Sequence, residues 1–256
     1  MSTVSLDPEQ RTDRLLLNAG FFAVIIAAYV AVAALVDVVP YPQEIVAAFY
    51  TQVTTENLTE ATVNALYAIF TGYFLAVLVG IPIGLLMGVF SPLEEFFDPY
   101  VDALYALPLA AIVPAMIIWF GTGFSVRVAG VFFFSLFPIL INTLNGAKNT
   151  PEDLLEAARS FGAGKYFIIK NIVIPHEVTY IATGLRIGIS LAVKGLVVVE
   201  IIVSVTGFGE LIFRWGAAVQ LEGVFSVVLT LMALGIVLTS LLTRIENRIV
   251  HWDVSE

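Results

Sequence analysis

The sequence of 256 residues contains no cysteine, which removes disulfide frameworks, thiolate metal sites and cysteine nucleophiles together. Its two histidines, His176 and His251, lie far apart, and nothing resembles His-Glu-x-x-His or another metal-ligand spacing. Basic residues are scarce as well: 12 Lys and Arg stand against 21 Asp and Glu, for a formal net charge of -9 and a pI near 4.7. Phosphate binding needs a basic stripe and none exists, which argues against nucleic acid as a partner. The acidic excess suits either concentrated salt, where screening weakens self-repulsion, or a basic partner.

Apolar side chains fill the space that charges leave. They make up 59% of the chain, charged residues only 13%, and the mean hydropathy is +0.94, far beyond what one water-soluble core requires. The expectation is an all-α integral membrane protein with a single transmembrane domain over residues 1–256, without internal repeat or low-complexity tract. A hydrocarbon core about 30 Å thick asks for roughly 20 apolar residues per spanning helix. Six stretches meet that demand, near residues 15–39, 63–90, 101–120, 126–144, 180–205 and 224–242. The first follows Arg11 and Arg14 but exceeds the apolar core of a signal peptide, so it reads as a retained helix.

Orientation follows from the basic residues. With both termini in the cytoplasm, Arg11, Arg14, Lys148, Arg159, Lys165, Lys170, Arg244 and Arg248 lie inside and only Arg127 and Arg214 outside. Residues 40–62 then form an outer loop with acids and no lysine or arginine. Pro108, Pro114, Pro138 and the GIPIG run at 80–84 fall within spans, where neighbouring helices can satisfy freed backbone groups and glycine permits close approach.

Between the fourth and fifth spans the apolar pattern stops for residues 150–175. NTPEDLLEAARS has the grammar of a helix start: Thr150 to cap, Pro151 in the first turn, Glu152 and Asp153 at the positive helix end. Gly162 is placed for a left-handed cap, and Lys165 to Val173 reads as a second helix ended by Pro175. The sequence thus predicts a bent pair of cytoplasmic helices with an apolar side at Leu154, Leu155, Ala157, Ala158 and Phe161 that packs on this chain's own spans or on another protein. GAGK at 162–165 is not a phosphate-binding loop, because Arg159 and Tyr166 stand where the Walker pattern needs glycine and serine or threonine.

Glu156, Ala157, Ala158, Gly162, Ile172 and Pro175 match in order and spacing the EAA signature of permease subunits of binding-protein-dependent ABC importers, with Ile174 where leucine usually precedes the final proline. From about Asp98 to Glu246 the chain resembles the nitrate, sulfonate and taurine branch of that family, of the type I fold. The resemblance implies a homodimeric permease that receives its solute from an extracytoplasmic binding protein. It also implies EAA helices that dock in grooves on two ATPase subunits, with ATP and magnesium held by those partners and no cofactor on this chain.

The fifth span carries polar residues at helical spacing. Arg186, Ser190, Val197, Glu200 and Ser204 lie on roughly one face, and burying charge in lipid is expensive, so this face should meet protein or water. Arg186 and Glu200 either pair or snorkel for structural reasons or line a path. Lys194, near mid-span and about a quarter turn off the stripe, reads as half of an ion pair with an acid on another helix, or as an attractor for an anion; the pair is the expectation. TGFGELIFRWG at 206–216 suits a tight outer turn, a short re-entrant piece or an ordinary loop, and His176 an exposed interfacial position. The function these features support is a transport subunit rather than an enzyme. Its rival is a stand-alone secondary transporter or channel that uses the intramembrane charges.

Overall fold

The structure is a computed structural model that describes residues 8–55, 57–203 and 206–249, with the side chains of 8–16, 18, 19, 22 and 247–249 outside that description. Arg11, Arg14 and Arg248 are therefore described in backbone only, and Ser204 and His251 lie outside the described residues. Among the described residues every regular element is helical: α1 Pro8–Leu35, α2 Pro42–Thr55, α3 Leu58–Val89, α4 Ser91–Ala106, α5 Leu109–Phe120, α6 Phe124–Lys148, α7 Glu152–Ser160, α8 Lys165–Ile168, a π-helical turn Ile169–Val173, α9 Ile174–Val203, α10 Gly207–Ala217 and α11 Leu221–Ile249.

The centre of the bundle is α6, flanked by α3 and α9 in the two most extensive helix pairings. Small residues make those pairings possible. A Cβ at Gly72 would lie 2.6 Å from the Val128 carbonyl oxygen, and one at Gly84 2.5 Å from that of Leu140, so α3 sits on α6 nearly backbone to backbone. Gly80 and Gly88 continue the row at four-residue spacing against Ile139 and Ala147. Between apolar helices in lipid the hydrophobic effect gives little preference, and such close packing supplies the association instead. Leu58, Ile69, Val131, Ile189, Leu196, Phe208 and Val227 then form the main core where α3, α6, α9, α10 and α11 converge.

The six apolar stretches correspond in order to α1, α3, α4 with α5, α6, α9 and α11. Among the described residues three helices, α3, α6 and α11, are each long and apolar enough to cross a membrane, or up to five spans if each bent pair counts as one. The third stretch, 101–120, is not the single helix the sequence predicts: α4 and α5 meet at 97° across Leu107 and Pro108. Pro108 donates no backbone hydrogen bond and pushes Leu107 out of helical geometry, to φ −66° and ψ 134°. The expected outer loop also proves to contain a helix. Gln52 of α2 is fully buried, donating to the Gly223 carbonyl at 3.0 Å and accepting from the Ser226 hydroxyl at 2.6 Å, which ties α2 to the start of α11.

Candidate functional site

The interruption at 150–175 forms an exposed amphipathic element. α7 has no buried residue; Glu156 and Ala157 are exposed and Ala158 half-buried. Its C-terminus is a complete Schellman motif, in which the Ala163 amide donates to the Ala158 carbonyl at 3.0 Å and the Gly162 amide to Arg159 at 2.9 Å. Gly162 takes φ +77° to allow it, as its position predicts. The start of the helix differs from expectation. Pro151 occupies the cap position, no side chain caps, and the buried Thr150 hydroxyl has no partner among the described residues. Glu152 and Asp153 in the first turn compensate the helix end by charge, and Glu152 pairs with Arg159 at 2.9 Å.

Phe161 is 92% exposed, Tyr166 76%, Phe167 55% and Leu154 51%. Beneath them the segment rests only lightly on the bundle. A cavity of about 410 Å³ separates Arg159, Lys165 and Ile169 from the turn between α3 and α4, and the Lys165 ammonium lies 5.9 Å above the Phe90 ring. Lys148 at the end of α6 bonds to Glu94 of α4 nearby.

Pro175 does not end a helix. The chain is helical without a break from Lys165 through Ile169–Val173 into α9, with Ile172 half-buried on the way. The π-turn explains this: the Ile174 amide bonds to the Ile169 carbonyl, five residues back. The one-residue register shift removes the clash that Pro175 would otherwise make with an α-helical carbonyl four residues before it. Residues from Lys165 to Val203 therefore form one continuous rod.

Along that rod the polar residues divide differently from the sequence expectation, which placed Glu200 with Arg186 and Ser190 and set Lys194 apart. Glu200 faces inward and is fully buried. Its carboxylate lies 3.4 Å from the Arg127 guanidinium and accepts the Phe208 amide of α10 at 2.8 Å. Arg127 also donates to the Thr206 hydroxyl; Thr206 makes no side-chain cap on α10, and Glu200 caps that helix from α9 instead. Gly207, at φ +77°, makes room, since a Cβ there would lie 2.6 Å from the Glu200 carboxylate. The segment 206–216, expected as a tight turn, a short re-entrant piece or an ordinary loop, is thus largely a helix, α10, held by a buried acid.

Arg186 pairs with Glu246 of α11 at 2.5 Å, and Ser190 lies 3.3 Å from the Thr239 hydroxyl of the same helix. Lys194 is exposed on the same open side of α9 as these two, and the expected ion pair is not formed among the described residues. His176 is half-buried beside Tyr180, their ring centroids 6.2 Å apart. Sequence reasoning missed Gln52, Arg127 and Glu246, and also Glu177, which is fully buried against Gly146 of α6. The paired small residues Gly207 and Gly209 next to Glu200 were the one available signal for the Arg127 cluster. Among the described residues no group of His, Asp and Glu has the arrangement of a metal site.

Comparison with known proteins agrees with this architecture. The family described as binding-protein-dependent transport system inner membrane component matches residues 80–251. A putative ABC transporter permease protein of Methanocaldococcus jannaschii is 33% identical over 199 residues, covering 77% of this chain and 74% of its own length. The taurine transport system permease protein TauC of Escherichia coli is 26% identical over 92% of this chain and 89% of its own. Among solved structures, the methionine ABC transporter MetNI in an inward-facing conformation has a chain that superposes with a TM-score of 0.62 at 19% identity, covering 78% of this chain and 97% of that one, which is a likeness of fold. The chain belongs to the binding-protein-dependent transport system inner membrane component family, the permeases of ABC transporters, and has their type I membrane fold.

Proposed function

We propose that this chain is the permease half of an ATP-driven importer that works as a homodimer. In this reading both termini and residues 150–175 are cytoplasmic, two separate ATPase subunits carry ATP and magnesium, and an extracytoplasmic binding protein delivers a small oxyanionic solute of the sulfonate, taurine or nitrate kind. The observation that carries the reading is the rod from Lys165 to Val203, whose exposed end bears α7 and the Schellman turn at Gly162. Such a lever transmits force only if something grips it. Leu154, Phe161, Tyr166 and Phe167 offer an apolar surface, and Glu156 adds a charge beside it.

Nucleotide-driven closing of the partners then acts as a population shift: the motor favours whichever bundle packing its grip on α7 fits better. The substrate class is supported by the taurine permease among the relatives and by Lys194 on the open face of α9, which has no ion pair among the described residues. The test is uptake into vesicles reconstituted with an ATPase subunit and a binding protein of the same transport system. Accumulation of a radiolabelled sulfonate or nitrate is expected only with both partners and ATP. Concentrative uptake by this chain alone would overturn the reading in favour of a stand-alone transporter.

A further inference from the structure

Lys194 projects into a groove of about 960 Å³ between α9 and α11, lined chiefly by Val197, Ile201, Met232 and Ile236. The other polar contributors are Ser190, Thr239 and Ser240, and among the described residues no acid lines the groove. Lys194 stands nine residues before Val203, the end of α9, which is about 14 Å of helix. Against a hydrocarbon core about 30 Å thick, that is close to mid-depth, where an ammonium has no interface within reach and exposure to lipid tails is costly.

The polar character does not stop at one residue. One helical turn away the Ser190 and Thr239 hydroxyls lie 3.3 Å apart, and a turn further Arg186 is neutralised by Glu246 at 2.5 Å. Of the two cations on this face, only Lys194 has a charge left to offer a passing ion. A row of this kind at this depth belongs against water or another protein surface, not lipid.

We propose that Lys194, in the α9–α11 groove, is the cationic subsite for a small singly charged oxyanion on the water-filled path that two copies of the chain enclose in the import reading. This inference rests on the import reading. A two-fold copy sets a second Lys194 on the same path. The combined field of the two, in a walled and poorly screened space, concentrates anions and rejects cations, while the neighbouring hydroxyls supply neutral donors that do not hold the ion too tightly to leave.

The cysteine-free chain makes the test direct. Ser190→Cys and Thr239→Cys each introduce the sole thiol, and inside-out and right-side-out vesicles are treated with sulfonatoethyl (anionic) and trimethylammonioethyl (cationic) methanethiosulfonate. Both cysteines should react, and the anionic-to-cationic rate ratio should fall about tenfold on Lys194→Met and be restored by Lys194→Arg. Leu78→Cys, exposed on α3 outside the groove, should stay unreactive. No reaction at either groove cysteine from either side would overturn the path, and an unchanged rate ratio in Lys194→Met would overturn the subsite. Labelling needs neither ATP nor partners, so it fails independently of the uptake experiment that tests the import reading.

Discussion

Arg127 of α6 and Glu200 of α9 face each other at 3.4 Å with side chains almost wholly shielded from solvent, and between them they fix where α10 begins. A buried pair of this kind adds little beyond what well-packed apolar residues would give, yet removing one member strands the other. Glu200→Ala or Arg127→Met should therefore each cost about 3–5 kcal/mol, seen as a lowered thermal midpoint in detergent. The double variant should lose clearly less than the two single losses combined. Strict additivity would show that the residues act separately.

Gly209 gives a sharper test of the same junction. A Cβ there would collide with the Glu200 backbone carbonyl, which cannot move without shifting α9. Gly209→Ala should depress the thermal midpoint more than Gly216→Ala, a glycine of the same helix whose added carbon would meet only the end of Val224 at 3.9 Å. Equal effects would mean that α10 is not seated on α9 as described.

Val219 ends α10 in the left-handed region, at φ 58°, and completes a Schellman motif in which its amide donates to Gly216 and that of Gln220 to Trp215, both at 3.0 Å. A β-branched residue pays a penalty there that glycine avoids. Val219→Gly should stabilise the protein by about 1 kcal/mol, read as a raised thermal midpoint. The side chain is 71% exposed, so little packing is lost in exchange.

Much of this was legible in the sequence because it depends on local rules. Gly162 and the acids at 152 and 153 announce α7, and six apolar runs announce the helices. What the sequence hid depends on partners distant in the chain. Proline at 175 reads as a stop, and only the five-residue hydrogen bond to Ile169 shows that the helix passes through it. A helical wheel grouped Glu200 with Ser190, but its inward direction is set by α6, which brings Arg127 to it. Gln52 lies in what composition marks as a loop, and its partners are 171 and 174 residues away.

In the proposed importer the two ends of the lever should fail in different ways, beginning with its grip. Gly162→Val forces a β-branched residue to φ +77°, at a local cost on the order of 1–3 kcal/mol, although a Cβ there would touch nothing within 4 Å. The turn should open and α7 swing out of place. Glu156→Lys reverses a charge on the exposed surface of the same helix. Neither change reaches the bundle, so both proteins should insert normally but co-purify poorly with the ATPase. Full ATPase binding and full uptake by both variants would remove α7 from the docking role.

In the same proposal transmission is the other half of the lever, and the π-turn Ile169–Val173 is where it would pass. Replacing Asn171 and Ile172 together by glycine leaves α7, Gly162 and the buried Val173 in place, but each glycine weakens a helix interior by about 1 kcal/mol relative to alanine. Asn171 also loses its side-chain bond to the Phe167 carbonyl, 2.9 Å long. A rod softened there still presents α7 to the motor but no longer moves α9 with it. The expected result is normal co-purification with the ATPase, continued ATP hydrolysis and a severalfold drop in uptake per ATP consumed. If the double variant instead transported at full efficiency, the continuous helix from Lys165 to Val203 would not be the route by which the motor acts.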